Sequence, residues 1–278
     1  MKFTKMHGIG NDYIYVDTFD QAVADPSALA VAMSRPHFGV GADGLVLIGA
    51  SDAADFGMRM FNADGSEGEM CGNAVRCIAK YVHERGLTAK TTLTLATKAG
   101  IKTLDLQVEA GRVAQVRVDL GEPVLAPEAI PVQLPGERVI DAPITVDGQT
   151  WRMSCVSMGN PHAVIFVDDP ATFDVHGIGR QIERHPLFPR RTNVEFARVR
   201  SRDRLDMRVW ERGSGETLAC GTGAAAAVVA AVLQGRTGRH VRVTLAGGEL
   251  QVTWDEGDNH VYQSGPASFV FDGVWLAG

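Results

Sequence analysis

The chain repeats itself. Shifted by 149 residues, its 278-residue sequence superposes landmark on landmark without a gap. Gly10-Asn11 falls on Gly159-Asn160, Arg35 on Arg184 and Met58-Arg59 on Met207-Arg208. Glu67 falls on Glu216, Cys71-Gly72 on Cys220-Gly221 and Gly86 on Gly235. Identity between the halves is low, so the register carries the argument. It holds from residue 10 to residue 86 and includes uncommon Cys, Met and Asn matches as well as glycines. A fixed offset of this kind is the mark of a duplicated structural unit.

Each half shows the same order of patterns. Apolar runs at Tyr13–Val16 and Ala163–Val167 follow the two Gly-Asn pairs and predict buried strands. Met58–Asn62 and Met207–Glu211 predict strands too, each followed by a Gly-rich loop, Cys-Gly and a helix. The first helix is predicted over Asn73–Arg85 and stops at Gly86; the second, over Gly223–Gln234, stops at Gly235. Glycine just past the last turn is a common terminator. The second helix, GAAAAVVAAVLQ, is apolar on every side and must be buried all round, inside a curved sheet. Thr92–Ala96, Val113–Leu120, Val241–Leu245 and Leu250–Trp254 supply further strands. Between the halves, Pro123, Pro127, Pro131, Pro135 and Pro143 mark an irregular crossover over 121–150.

The expected fold is therefore α+β, with two pseudo-symmetric halves, each a curved mixed or antiparallel sheet wrapped around a central helix. Residues 1–120 form the first half and 121–267 the second, and a last strand over about 268–278 packs with the first. A pseudo-twofold places equivalent residues across a cleft, where the active site is expected.

Composition narrows the function. A net charge of −6 gives no electrostatic reason to expect nucleic acid. The longest apolar run, Ala224–Leu233, is far short of the ~20 residues that span a bilayer, so no membrane partner is expected. The amino terminus lacks the apolar stretch of an export signal, which points to the cytoplasm and to reduced thiols. The four cysteines (Cys71, Cys77, Cys155 and Cys220) form no CxxC pair, and no His or Cys spacing supplies a metal site.

Two matched thiols, each at the start of a helix, suggest proton transfer. Helix N-termini carry unsatisfied N–H groups and partial positive charge. That setting lowers a thiol below its usual ~8.5. It also binds a carboxylate, here through the backbone amides of Gly72, Asn73, Gly221 and Thr222. An amino acid held there could lose its α-proton to one thiolate and regain one from a thiol on the opposite face. Cys77 and Cys155 lack this setting and read as small buried hydrophobes.

At these residues the sequence resembles the diaminopimelate epimerases along nearly its whole length. The matching blocks are KMHGIGNDYIYVD, FNADGSEGEMCGNAVRC, VSMGNPHAVIFVDD, RTNVEF and ERGSGETLACGTGA. The related proline racemases typically carry a histidine after the first Cys-Gly, where this chain has Asn73. The resemblance implies interconversion of LL- and meso-diaminopimelate in lysine and peptidoglycan precursor synthesis, with no pyridoxal phosphate and no metal, by a homodimer. It implies that Cys71 is the proton donor and Cys220 the acceptor in the LL-to-meso direction. Gly72, Asn73, Gly221 and Thr222 match the holders of the reacting carboxylate. Asn11, Asn62, Asn160, Asn193, Glu211 and Arg212 match residues lining the substrate pocket, and His162 and Glu211 match groups that tune the thiols. The far end of such a substrate is a zwitterion, and Arg212 suits its carboxylate. Some members carry a substrate-contacting glutamine at the position of Gly44; here altered contacts are expected.

Rival readings are a racemase of another amino acid such as proline or hydroxyproline, a non-catalytic binding protein on the same scaffold, and a redox protein. Fold alone decides none of them.

Overall fold

A computed structural model describes residues 1–276, so the last two residues of the expected final strand lie outside the described residues. The chain divides into two compact units, Met1–Val118 with Gly265–Gly278, and Asp119–Ser264.

The first unit runs β1 (Lys2–Gly8), β2 (Asn11–Asp17), α1 (Pro26–Ser34), β3 (Gly44–Gly49), β4 (Phe56–Asn62), β5 (Glu67–Gly68), α2 (Gly72–Glu84), β6 (Thr92–Thr97), β7 (Gly100–Glu109) and β8 (Arg112–Asp119). The second runs β9 (Ala142–Val146), β10 (Gln149–Ser157), β11 (Pro161–Phe166), α3 (Val175–Glu183), β12 (Asn193–Ser201), β13 (Arg204–Glu211), β14 (Gly215–Thr217), α4 (Gly221–Leu233), β15 (His240–Leu245), β16 (Gly248–Trp254) and β17 (Val261–Gly265). The chain then returns to the first unit as β18 (Ser268–Val274).

The two sheets have one topology. In the first unit β18, β1, β2, β3, β4, β6, β7 and β8 pair in that order, with β5 added on β4. In the second the order is β9, β10, β11, β12, β13, β15, β16 and β17, with β14 on β13. The pairings are antiparallel except β2 with β3, β4 with β6, and their counterparts β11 with β12 and β13 with β15. Parallel neighbours need a crossover, and each of these four spans a helix.

Those helices cover both faces of each sheet. Ile14, Val16, Leu45 and Phe61 pack with Ala30 and Met33 of α1. Tyr15, between two of them on β2, points the other way, toward Cys77 of α2. The second unit alternates likewise: Val194 and Phe196 pack toward Val175 and Ile182 of α3, while Glu195 between them reaches Gly223 of α4. Burial on both faces explains the unbroken apolar runs of β2 and β11. α4 is almost entirely buried, as its composition requires.

Three features depart from the sequence reading. Residues 121–150 are not wholly irregular, because β9 forms there. Its Pro143 stands close to the strand's start, where a missing N–H is tolerated. The short helices α1 and α3 were not anticipated. Finally, α2 and α4 begin at Gly72 and Gly221, one and two residues earlier than expected, so both cysteines are the N-caps themselves.

Candidate functional site

In the first unit the chemistry gathers at the start of α2. Cys71 caps the helix in an extended conformation, and its Sγ donates to Asn11 Oδ1 at 3.2 Å. The same oxygen accepts from Asn73 Nδ2 at 3.2 Å. Asn11 in turn donates through Nδ2 to Asp43 Oδ2 at 2.7 Å. Beneath this row lies Arg76, fully buried, its guanidinium curled back along the helix. It donates to Gly72 O at 3.1 Å, to Asn73 Oδ1 at 2.6 Å and to Pro266 O at 3.3 Å. Gly8 makes room for it, since a Cβ there would stand 3.1 Å from Arg76 Nη2.

In the second unit the equivalent place is the start of α4. Cys220 Sγ accepts from the Gly223 N–H at 3.4 Å and lies 3.6 Å from Thr222 Oγ1. Its thiol is nevertheless pushed well above the ordinary range, first by burial and then by the charges of Glu211 and Glu195. This corrects the expectation of a depressed thiol. Two donors at a helix start do not outweigh desolvation and two carboxylates. Cys77 and Cys155, expected to be inert, are buried and pushed up to about 12, by burial first.

His162 and Glu195 are both fully buried. His162 Nδ1 lies 2.7 Å from Glu195 Oε1, and Nε2 lies 3.0 Å from Asn160 Oδ1. Glu195 Oε1 and Cys220 Sγ both crowd the point where a Cβ on Gly223 would sit, at 2.7 and 3.2 Å. Gln263, also buried, donates to Gly221 O at 2.6 Å, holding the first helical carbonyl. Among the described residues, no helix is long and apolar enough to cross a membrane. Nor is any group of three His, Cys, Asp or Glu side chains among them arranged to hold a metal ion.

With this geometry in hand, the relatives are informative. A sequence profile of the diaminopimelate epimerase family matches residues 3–126 and 154–270. The chain is 55% identical over 273 residues to the diaminopimelate epimerase of Acetivibrio thermocellus, covering 98% of both chains. It is 54% identical over 281 residues to that of Desulfovibrio desulfuricans, covering 99% of this chain and 98% of that one. The chain belongs to the diaminopimelate epimerase family. Solved structures of low identity share the fold. A hydroxyproline epimerase from Agrobacterium vitis aligns with TM-score 0.71 at 16% identity, over 98% of this chain and 90% of that one. A phenazine biosynthesis protein of the PhzF family from Bacillus anthracis aligns with TM-score 0.73 at 17% identity, over 100% and 99%.

The residues that resemble the epimerase family's site fall into the two clusters and their rims. Cys71, Gly72, Asn73 and Asn11 are joined as described. Asn62, at the end of β4, pairs with Gly44 across the sheet and donates to Ser66 Oγ at 3.0 Å. Asn160 is held by His162, while Gly221 and Thr222 open α4. Asn193 is buried and ties two segments: Nδ2 donates to Pro161 O at 2.8 Å, and Oδ1 accepts the Arg212 N–H at 2.9 Å. Glu211 accepts from Thr217 Oγ1, and the exposed Arg212 side chain reaches Arg190 O at 3.4 Å. Gly44 is crowded: a Cβ would meet Phe61 O at 2.0 Å and the Tyr13 ring at 2.9 Å. A glutamine there needs a different strand path, not merely a changed contact.

Sequence reasoning missed Arg76, Glu195, Asp43 and Gln263. Glu195 stands in the RTNVEF block, where a carboxylate amid apolar strand residues was the available signal. Arg76 likewise lies inside CGNAVRC, on a helix that buries mostly apolar residues together with Asn73 and Lys80.

Proposed function

We propose that this chain interconverts LL- and meso-diaminopimelate by a two-base transfer of the α-proton. One thiolate removes that proton as the C–H bond breaks, leaving the electron pair on carbon and its carboxylate. A thiol on the other face then delivers a different proton, so configuration inverts and the two sulfurs exchange protonation states. Cys71 is the donor and Cys220 the acceptor in the LL-to-meso direction. Gly72, Asn73, Gly221 and Thr222 hold the reacting carboxylate, whose extra charge is stabilised by N–H groups and dipoles at helix starts. His162 and Glu211 tune the thiols, and Asn11, Asn62, Asn160, Asn193 and Arg212 recognise the rest of the substrate.

The observation that carries this reading is the recurrence of a cysteine N-cap at the same point of two equivalent units, Cys71 on α2 and Cys220 on α4. The sequence blocks around both are those that resemble the epimerases. A redox role would not call for two such helix starts, nor would a passive binding protein need the thiols. The same reading makes the protein a cytoplasmic homodimer in lysine and peptidoglycan precursor synthesis, independent of pyridoxal phosphate and metal.

Proton NMR of LL-diaminopimelate with the enzyme in heavy water tests the reaction and substrate together. Deuterium should enter one α-position with inversion and reach the meso isomer. Unchanged LL-diaminopimelate, or exchange abolished by EDTA and restored by metal, overturns the reading. Sedimentation at working concentration tests the dimer.

A further inference from the structure

Glu183, the last residue of α3, carries a carboxylate into the core of the second unit, where it is only 2% exposed. A buried carboxylate is tolerated only where donors meet it. Both of its oxygens meet one. Oε2 accepts from Trp210 Nε1 at 2.8 Å, and Oε1 accepts from the Gly213 N–H at 3.1 Å. An indole N–H and a backbone N–H can only donate, so the site calls for two acceptor atoms. The two donors bracket Glu211 and Arg212, and the carboxylate therefore spans the turn that leaves β13. Arg191 Nη1, 3.6 Å from Oε1, is on an exposed side chain and adds little. Arg212 is tied in addition to the 190–193 segment. Asn193 Oδ1 accepts its N–H at 2.9 Å, and Arg190 O accepts from its Nη1 at 3.4 Å.

The duplication shows that the scaffold itself does not need this arrangement. At the offset of 149, Ser34 stands for Glu183, Phe61 for Trp210, Ala63 for Arg212 and Asp64 for Gly213. The turn after β4 closes on itself instead. Asp64 Oδ1 accepts from the Ser66 N–H at 2.9 Å, and Asn62 Nδ2 donates to Ser66 Oγ at 3.0 Å. A further difference makes room for the indole. Gly179 of α3 has Ala30 of α1 as its counterpart, and a Cβ at Gly179 would stand 2.6 Å from Trp210 Cβ. The missing side chain, the indole and the carboxylate thus occur together, in the half that carries the guanidinium.

We propose that Glu183 is a positioning residue for substrate selection. Buried beneath the turn, it fixes the main chain on both sides of Arg212, so that the guanidinium is presented from a rigid base to the distal carboxylate of the substrate. The inference rests on the functional reading above, in which Arg212 recognises that end. The Arg212 side chain is long and exposed, and ordering it on binding costs affinity. A main chain set in advance reduces that cost. A role in the fold alone has a different consequence, since a loosened core would act whether or not Arg212 is present.

Double-mutant kinetics separate the two roles. Glu183→Gln leaves one amide oxygen for two donors, so one N–H loses its acceptor. Its kcat/KM for diaminopimelate should fall about tenfold, the lower end for losing a hydrogen bond to a charged group, with the loss in KM. In an Arg212→Met background the same change should cost less than about twofold, because the group it positions is gone. Glu183→Asp, which keeps both acceptors, should recover part of the loss. Trp210→Phe copies the first unit and keeps the Gly213 tie. It should cost less than Glu183→Gln, again only when Arg212 is present, and it carries the test if Glu183→Gln does not fold. Equal fold losses with and without Arg212 would overturn the proposal, as would a fall confined to kcat or no fall at all. Hydrogen–deuterium exchange of the peptide spanning 210–214, read by mass spectrometry, should be faster in Glu183→Gln than in the wild type. If the wild-type chain does not turn over diaminopimelate while this peptide loosens as stated, the functional reading fails and the tie between Glu183 and the turn stands.

Discussion

Asp25 and Asp174 make the same hydrogen bond 149 residues apart. Each is the N-cap of a nine-residue helix and accepts from the third helical N–H, Ala28 at 3.0 Å and Gly177 at 2.8 Å. The duplication thus extends beyond the cysteine-bearing helix starts into the scaffold. The pairs Arg59–Glu67, at 2.8 Å, and Arg208–Glu216, at 2.7 Å, repeat it once more. Replacing either cap by alanine should cost about 1 kcal/mol, the ordinary worth of such a cap. Urea denaturation of Asp25→Ala and Asp174→Ala measures it, and a midpoint unchanged in both variants would show that the caps are ornamental.

What was legible in the sequence follows from these particulars. Gly10-Asn11, Met58-Arg59 and Cys71-Gly72 could be matched to their partners because turns, strand pairs and helix starts demand specific residues. Asp25 and Asp174 obey the same register but are hard to read, because PSALAVAMS is apolar on most sides and the stripe of VHGIGRQIE (Val175, Ile178 and Ile182) spans only nine residues and is broken by two glycines. β9 was hidden by the prolines around it. The buried charges were the least legible. Arg76 fits only because Gly8, on a strand far off in sequence, leaves space for it. Glu195 is accommodated because Gly223 has no side chain. Such vacancies belong to tertiary packing and leave no local pattern.

Crowding at Gly44 sets a limit on exchange between family members. Gly44→Gln should destabilise the chain by about 1–3 kcal/mol, the usual cost of forced overpacking, because its Cβ collides with backbone of the paired strand β4. It should not improve KM for diaminopimelate. Thermal unfolding together with steady-state kinetics checks both. A stable variant with tighter binding would mean that β3 shifts freely.

Acid stability should carry the signature of His260. Its hydrogen bond to Asp119, at 2.9 Å, and the charges of Asp119, Asp258 and Glu122 raise it above its ordinary value of ~6.5. Because the folded-state value is the higher one, this contribution is fully present below the ordinary value. It is lost as pH rises through the folded-state value. Unfolding free energy of the wild type should decline over that window relative to His260→Gln. Parallel curves for the two proteins would remove the pair from the account.

Both thiols should prove indispensable for inversion yet separable for exchange. Cys71→Ala and Cys220→Ala should each lose epimerisation, since each face of the α-carbon needs its own partner. The surviving sulfur can still exchange the proton slowly on its own face, with retention. Mass spectrometry of diaminopimelate incubated in heavy water, followed by chiral separation, distinguishes exchange from inversion. Near-wild-type inversion in either variant would end the two-base reading.

Selectivity must come from the end of the substrate remote from the reaction, because the α-carbon chemistry needs only a carboxylate, an amino group and two sulfurs. Arg212, proposed above for that task, is held by backbone ties. Its N–H is held by Asn193 at 2.9 Å, and the next N–H, of Gly213, donates to buried Glu183 at 3.1 Å. Glu183 also accepts from Trp210 Nε1 at 2.8 Å, so the turn carrying Arg212 is pinned to the core while its side chain stays exposed. A guanidinium presented this way suits a distal carboxylate. Lysine lacks that group and leaves polar partners unmatched, a mismatch that can reach ~10⁴-fold. Lysine should therefore be a very poor substrate. Arg212→Met should lower kcat/KM for diaminopimelate by an amount within the ~2–5 kcal/mol typical of truncating one member of a charged pair, without altering kinetics on lysine. Steady-state assays of both proteins on both substrates decide it. Equal efficiency on lysine and diaminopimelate would show that Arg212 does not read the distal end.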